Sequence, residues 1–116
     1  MAHKTAEMDR CIKECLDCAS VCLETMAHCL AKGGEHAAAE HITLLQDCAE
    51  MCRTAADFML RGSAVHGQTC GVCAEVCRRC AESCERLAAD DEEMARCAEA
   101  CRRCEASCRD MAGVAA

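Results

Sequence analysis

The sequence predicts an all-α protein, an antiparallel up-down-up-down four-helix bundle with a cysteine-lined core. Three observations carry that reading. Proline is absent from the 116 residues while Ala, Glu, Arg, Leu and Met abound, so only short breaker clusters interrupt the helical pattern. Cysteines recur at steps of three, four and seven, the a and d spacing of an inward-facing helical stripe. A twelve-residue pattern also repeats, Cys73 to Cys84 (CAEVCRRCAESC) matching Cys97 to Cys108 (CAEACRRCEASC) at nine positions, as expected of one helical unit copied along the chain.

Each element follows from this pattern. The first helix is read at 5–32 and carries the repeat as CIKECLDCASVC, with Cys11, Cys15, Cys18 and Cys22, then Cys29 one heptad on. Gly33-Gly34 ends it. The second is read at 35–61 and keeps a worn copy, CAEMCRTA, in which Cys48 and Cys52 remain while Ala55 and Met59 fall where other helices place Cys. Gly62-Ser63 with Gly67 ends it, and a third helix read at 66–88 carries Cys70, Cys73, Cys77, Cys80 and Cys84. Asp90-Asp91 supplies the cap that opens a fourth at 91–112, with Cys97, Cys101, Cys104 and Cys108. Short connections make successive helices antiparallel, and residues 1–116 read as a single domain.

The composition shows what holds such a bundle together. Leu, Ile, Val and Phe number only 15, against 23 Ala and 16 Cys, so aliphatic burial at about 25 cal/mol per Å² cannot carry the fold comfortably. Met1 to Glu7 contains no apolar run or cleavage site, His3 falls in a fraying tail, and no apolar run of membrane-spanning length occurs. These features predict a cytoplasmic protein with no membrane partner, and in a reducing compartment the cysteines are thiols or metal ligands. The net charge of −7 argues against nucleic acid as a partner.

Several chemistries are disfavoured by spacing. Cysteines three or four apart on a helix have Cβ atoms about 5–6 Å apart, beyond the roughly 3.8 Å that a disulfide needs. The CxxC pairs are mostly helix-interior, and only Cys70 lies near a helix start where the dipole would activate a thiol. Iron–sulfur ligation of the bacterial type needs a different spacing, a proline and a wrapping loop. No Ser-His-Asp set, phosphate loop or carboxylate pair is legible, and a metal saturated by thiolates keeps no open position, so no enzyme is expected.

A d10 metal remains, and charge selects among such metals. Zinc in a four-thiolate site carries a net charge of −2, and the seam offers no Lys or Arg to offset it. One Cu(I) per thiolate gives a neutral core, and thiolate and thioether are the soft donors that Cu(I) selects. The reading is therefore a protein binding multiple Cu(I) ions through all sixteen cysteines, with a zinc or general soft-metal buffer, or an iron–sulfur electron carrier, as alternatives. Extending each seam places Met8, Met59, His66 and Met111 at one end as a soft-ligand mouth. At the other end Cys29, His41, Leu45, Leu87 and Met94 come together, with Ile42 and Leu44 nearby, and resemble an apolar plug. Met8, His41, Met59, His66, Met94 and Met111 are the accessory ligand candidates, a packed core histidine being the equal alternative for His41. His28 and His36 are expected to face solvent or a partner subunit. Arg78-Arg79 and Arg102-Arg103 lie off the seam, on a solvated face that offsets nearby Glu.

CIKECLDC from Cys11, QDCAEMC around Cys48 and Cys52, CGVCAEVCRRCAESC from Cys70 and RCAEACRRCEASCRDMAG around Cys97 together make the chain resemble the copper storage protein family, its cytosolic branch more than its exported one. The resemblance covers nearly the whole chain. It implies Cu(I) storage for use or detoxification, coordination by pairs of thiolates within and between helices, ion passage at one end, and a homotetramer of bundles exchanging copper with a chaperone or small-molecule chelator. The chain departs from the family pattern at His41 and Met94, which stand where relatives carry Cys, and at Asp90-Asp91-Glu92-Glu93 in place of a His-rich turn.

Overall fold

The computed structural model describes residues 5–113; His3 lies outside them. Four helices form the bundle: α1 (Ala6–Lys32), α2 (Ala39–Leu60), α3 (His66–Arg86) and α4 (Glu92–Ala112). Each packs against two neighbours in the cyclic order α1, α2, α3, α4, and diagonal pairs are not packing neighbours. The bundle is elongated, 49 × 20 × 17 Å, as its 27-residue first helix requires at about 1.5 Å per residue.

Local chemistry sets the boundaries. The Thr5 hydroxyl accepts from the Met8 backbone N–H and opens α1, and Glu7 and Asp9 complement the dipole in the first turn. Asp91 caps α4, its carboxylate accepting from the backbone N–H groups of Glu93 and Met94.

The second helix starts later than its sequence pattern suggests. Gly33 and Gly34 both adopt positive φ, 76° and 60°, residues Gly34–Ala37 close a 3₁₀ turn, and Ala38 is extended before α2 begins at Ala39. Two left-handed glycines turn the chain too sharply for Glu35 to continue a regular α-helix. The third helix ends at Arg86 rather than 88, with Leu87 closing the last turn onto the Cys84 carbonyl.

All sixteen cysteines are fully buried. Large aliphatic side chains hardly contribute, since Leu45 and Ile12 are the only Leu, Ile, Val or Phe residues buried among the described residues. Alanines such as Ala19, Ala55, Ala56 and Ala81 fill the remaining core and let the helices approach closely. Ion pairs tie the outer faces together across helices: Arg102 to Glu85 at 2.8 Å, Arg96 to Glu24 at 2.9 Å and Arg103 to Glu14 at 3.4 Å. Arg78 and Arg79 pair with Glu75 on their own helix, so both arginine pairs occupy the solvated face expected of them.

Candidate metal centre

The heptad steps bring the thiols of all four helices to one axis. Cys11, Cys15, Cys18 and Cys22 of α1 descend along Cys108, Cys104, Cys101 and Cys97 of α4, with Sγ–Sγ distances of 3.5–3.9 Å between facing partners. On the other side Cys48 and Cys52 of α2 meet Cys77 and Cys73 of α3 at 3.6–3.8 Å. Cys52 also reaches Cys104 at 3.7 Å and Cys18 reaches Cys48 at 3.9 Å, so the ladders merge into one column.

Five groups of sulfur atoms lie mutually within 4.8 Å: Cys15-Cys73-Cys104-Cys108, Cys18-Cys52-Cys77-Cys104, Cys18-Cys22-Cys48-Cys101, Cys22-Cys80-Cys97-Cys101, and Cys11-Cys70-Cys108. Cys18, Cys22, Cys101, Cys104 and Cys108 each belong to two groups. Isolated tetrahedral sites would need separate sets of four thiols. Shared thiols instead suit bridging thiolates in a multinuclear column.

No cation offsets charge inside this column. The buried polar and charged residues among those described are Thr25, His41, His66, Ser83 and Asp91, with no Lys or Arg. Burial without a nearby cation disfavours the thiolate form in the copper-free core. Hydrogen bonds that the neutral thiols make to facing sulfurs, that to Cys104 foremost for Cys52 and that to Cys18 foremost for Cys101, act with burial to hold both well above the ordinary thiol range. Monovalent soft cations entering as protons leave would keep the column neutral.

At the end formed by the starts of α1 and α3, Met8, Met59, His66 and Met111 are all buried, as the seam predicts. His66 Nδ1–H donates to the Ser63 carbonyl at 2.9 Å. That bond leaves the Nε2 lone pair free, and Nε2 is buried without a partner, one turn before Cys70 on the same helix.

The opposite end differs from the expected apolar plug. Ile42, Leu44 and Leu87 are only half-buried, while Cys29 Sγ sits 3.4 Å from both His41 Nε2 and Met94 Sδ. His41 Nδ1 in turn lies 2.7 Å from Ser83 Oγ. The plug expectation fails because it weighed Leu and Ile on the outer turn, whereas the seam itself delivers donors here. Burial, with His36 and Arg86 assisting, lowers the His41 pKa.

His28 and His36, expected to face solvent or a partner subunit, are half-buried and both turn to Asp91. His28 Nε2 lies 2.9 Å, Lys32 Nζ 3.0 Å and His36 Nε2 3.2 Å from the same Asp91 oxygen. The α4 cap thus draws the end of α1 and the 3₁₀ turn together. The hydrogen bond from His28, then those from Lys32 and the Met94 backbone, hold the Asp91 carboxyl well below the usual carboxylate range. Sequence reasoning also missed Thr25, fully buried in the seam slot between Cys22 and Cys29, and the buried Ser83. The gap of seven between those cysteines was the available signal for Thr25.

A four-helix bundle whose axis is a continuous column of thiols, neutral only when protonated or filled with soft monovalent cations, defines a multinuclear soft-metal-binding protein. Comparison with known proteins agrees. The model of the copper storage protein family matches residues 4–113, and the chain belongs to that family. It is 44% identical to the Nmul_A1745 protein of Nitrosospira multiformis, with a TM-score of 0.86 over 91% of this chain and 94% of that one. It is 33% identical to a cytosolic copper storage protein of Streptomyces lividans in a five-copper state, with a TM-score of 0.87 over 95% of each chain. With the Cu(I)-bound copper storage protein BsCsp3 the values are 31% and 0.85, over 92% and 99% of the two chains. A curated relative, the uncharacterized cysteine-rich protein YhjQ of Bacillus subtilis, is 32% identical over 68 residues, and the match spans 63% of that protein's length and 59% of this chain.

Proposed function

We propose that this protein is a Cu(I) store in which all sixteen cysteines act as thiolate ligands, with Met8, Met59, His66 and Met111 as soft donors at the end where α1 begins. The observation that carries the reading is the sharing of thiols between adjacent sulfur groups in a core free of cations. Bridged Cu(I) thiolates use shared sulfurs and add no net charge, whereas four-thiolate zinc sites would bury −2 each. The Cu(I)-bound and copper-loaded states of the relatives support the same choice.

The chain works as one unit of four helices, without catalysis, in the cytoplasm, buffering or detoxifying copper that a chaperone or small chelator delivers and removes. No described helix is long and apolar enough to cross a membrane. Assembly as a homotetramer is supported by Leu16, Leu23 and Leu30, which lie one heptad apart and are 39%, 41% and 57% exposed on α1. Such a stripe suits packing of α1 against another bundle.

X-ray absorption on the anaerobically loaded protein tests the coordination. Sulfur-dominated Cu(I) with short Cu–Cu scattering is the expected spectrum. Preferential uptake of zinc into isolated four-sulfur sites, with Cu(I) binding only weakly, would overturn the reading.

A further inference from the structure

We infer that Cys29, His41 and Met94 form a mixed-donor Cu(I) site, separate from the thiol column, whose single ion exchanges faster than those in the column. The inference rests on the storage reading and adds a second kind of site to it.

Geometry supplies the first argument. A thiol sulfur, an imidazole nitrogen and a thioether sulfur from three helices converge, with Cys29 Sγ 3.4 Å from each of the other two atoms. Donors bonded at about 2.0–2.3 Å to one d10 ion stand about 3.5–4 Å apart, so a small outward shift of these groups would admit an ion. All three residues are buried.

Ser83 gives the second argument, because it prepares the ring. Its Oγ accepts from Arg86 Nη2 at 3.1 Å and lies 2.7 Å from His41 Nδ1. A hydroxyl oxygen can accept twice, so Ser83 can also take the Nδ1–H of the loaded state and leave the Nε2 lone pair directed at Cys29. An outer partner that fixes the ring and tautomer is the usual support of a metal-bound histidine.

Separation is the third argument. On α1 the fully buried Thr25 stands between Cys22 and Cys29, and on α2 the fully buried Leu45 stands between His41 and Cys48. Cys29 belongs to none of the sulfur groups of the column. An ion here is held by one thiolate and two neutral donors, without a bridging sulfur. On loading, the Cys29 thiol releases its proton to solvent as the Cu–S bond forms, and one Cu(I) with one thiolate leaves the site neutral. With fewer anionic donors and no bridge to a second ion, it gives up its ion before the column does.

The test is chelator-driven release from the fully loaded protein, followed anaerobically with bathocuproine disulfonate, for the natural chain, H41A, M94L and S83A. The natural chain should lose one ion in a fast phase ahead of the rest. H41A and M94L should lack that phase and bind one ion fewer, with the slow phase unchanged and helicity intact. S83A should keep the ion but hold it about 10- to 100-fold more weakly. Nitrogen-15 NMR of the loaded natural chain should show His41 Nε2 metallated. Identical release curves and ion counts in H41A and M94L, or an unmetallated His41, would overturn the inference while leaving the store intact. A natural chain that takes up one His41-dependent ion and little else would instead overturn the storage reading and keep this site.

Discussion

Cys52 Sγ lies 3.7 Å from Cys104 Sγ across the diagonal of the bundle, although α2 and α4 are not packing neighbours. Only a core of small side chains brings diagonal helices into atomic contact. Leucine at these positions would fill the axis, while cysteine leaves sulfur facing sulfur along it, and this is how a chain poor in aliphatic residues builds a column for ions.

Cys104 belongs to two of the sulfur groups, whereas Cys84 belongs to none. Replacing Cys104 with Ala should therefore lower Cu(I) capacity by about two ions, and replacing Cys84 with Ala by about one at most, if bridging thiolates serve two ions each. Equilibrium dialysis of the two variants beside the natural chain measures both. Equal losses would argue against shared sulfurs.

Leu45 is the largest fully buried side chain in the core. Leu45→Ala should cost the copper-free protein about 2–5 kcal/mol, a large share of the stability of a domain this size. Loading should recover much of it, since a ligand at 1,000 times its Kd contributes about 4 kcal/mol. Thermal melts with and without Cu(I) give both quantities.

Alkaline pH should destabilise the copper-free bundle. Burial first, then the nearby Asp91 charge, push the Cys29 thiol up to about 11, against about 8.5 for an unfolded thiol. A folded pKa above the unfolded one gives stability that is full below about pH 8.5 and lost as pH rises toward 11. The melting temperature of the copper-free protein should fall between pH 8 and 10.5. That of the loaded protein, whose thiols have already lost their protons, should fall far less.

Asp91 works in the opposite direction. Its carboxylate caps α4 and gathers His28, Lys32 and His36, and its lowered pKa stabilises the fold above the ordinary carboxylate range. That contribution disappears as pH falls below about 4. Asp91→Ala should cost about 1–2 kcal/mol at neutral pH through the lost cap and flatten the acid limb of the stability profile, as urea unfolding between pH 3 and 7 would register.

The exposed leucine stripe on α1 gives an assembly prediction. On the proposed homotetramer, Leu23→Glu should shift the mass in light scattering from four chains toward the 12.5 kDa of one chain, with Cu(I) capacity per chain retained. Retention of the four-chain mass would place the interface elsewhere.

The thiol column was legible because cysteine at heptad steps leaves one inward stripe, and Asp91 holds the helix start that its residue type suggests. What escaped depends on contacts distant in sequence. His28 and His36 turn to Asp91, 63 and 55 positions away, through charge that no local pattern encodes. The late start of α2 depends on two positive-φ glycines committing the chain to a 3₁₀ turn. His41 and Met94 were visible as seam positions, but their convergence on Cys29 requires three helices in register.

The most direct test of the store is an anaerobic Cu(I) titration of the fully reduced chain against a chromogenic chelator, with thiols counted and helicity followed by circular dichroism. The predicted endpoint is near one ion per cysteine, bound tightly, with the helices retained throughout. An endpoint of a few ions, or saturation at one metal per four thiols with zinc preferred, would contradict it.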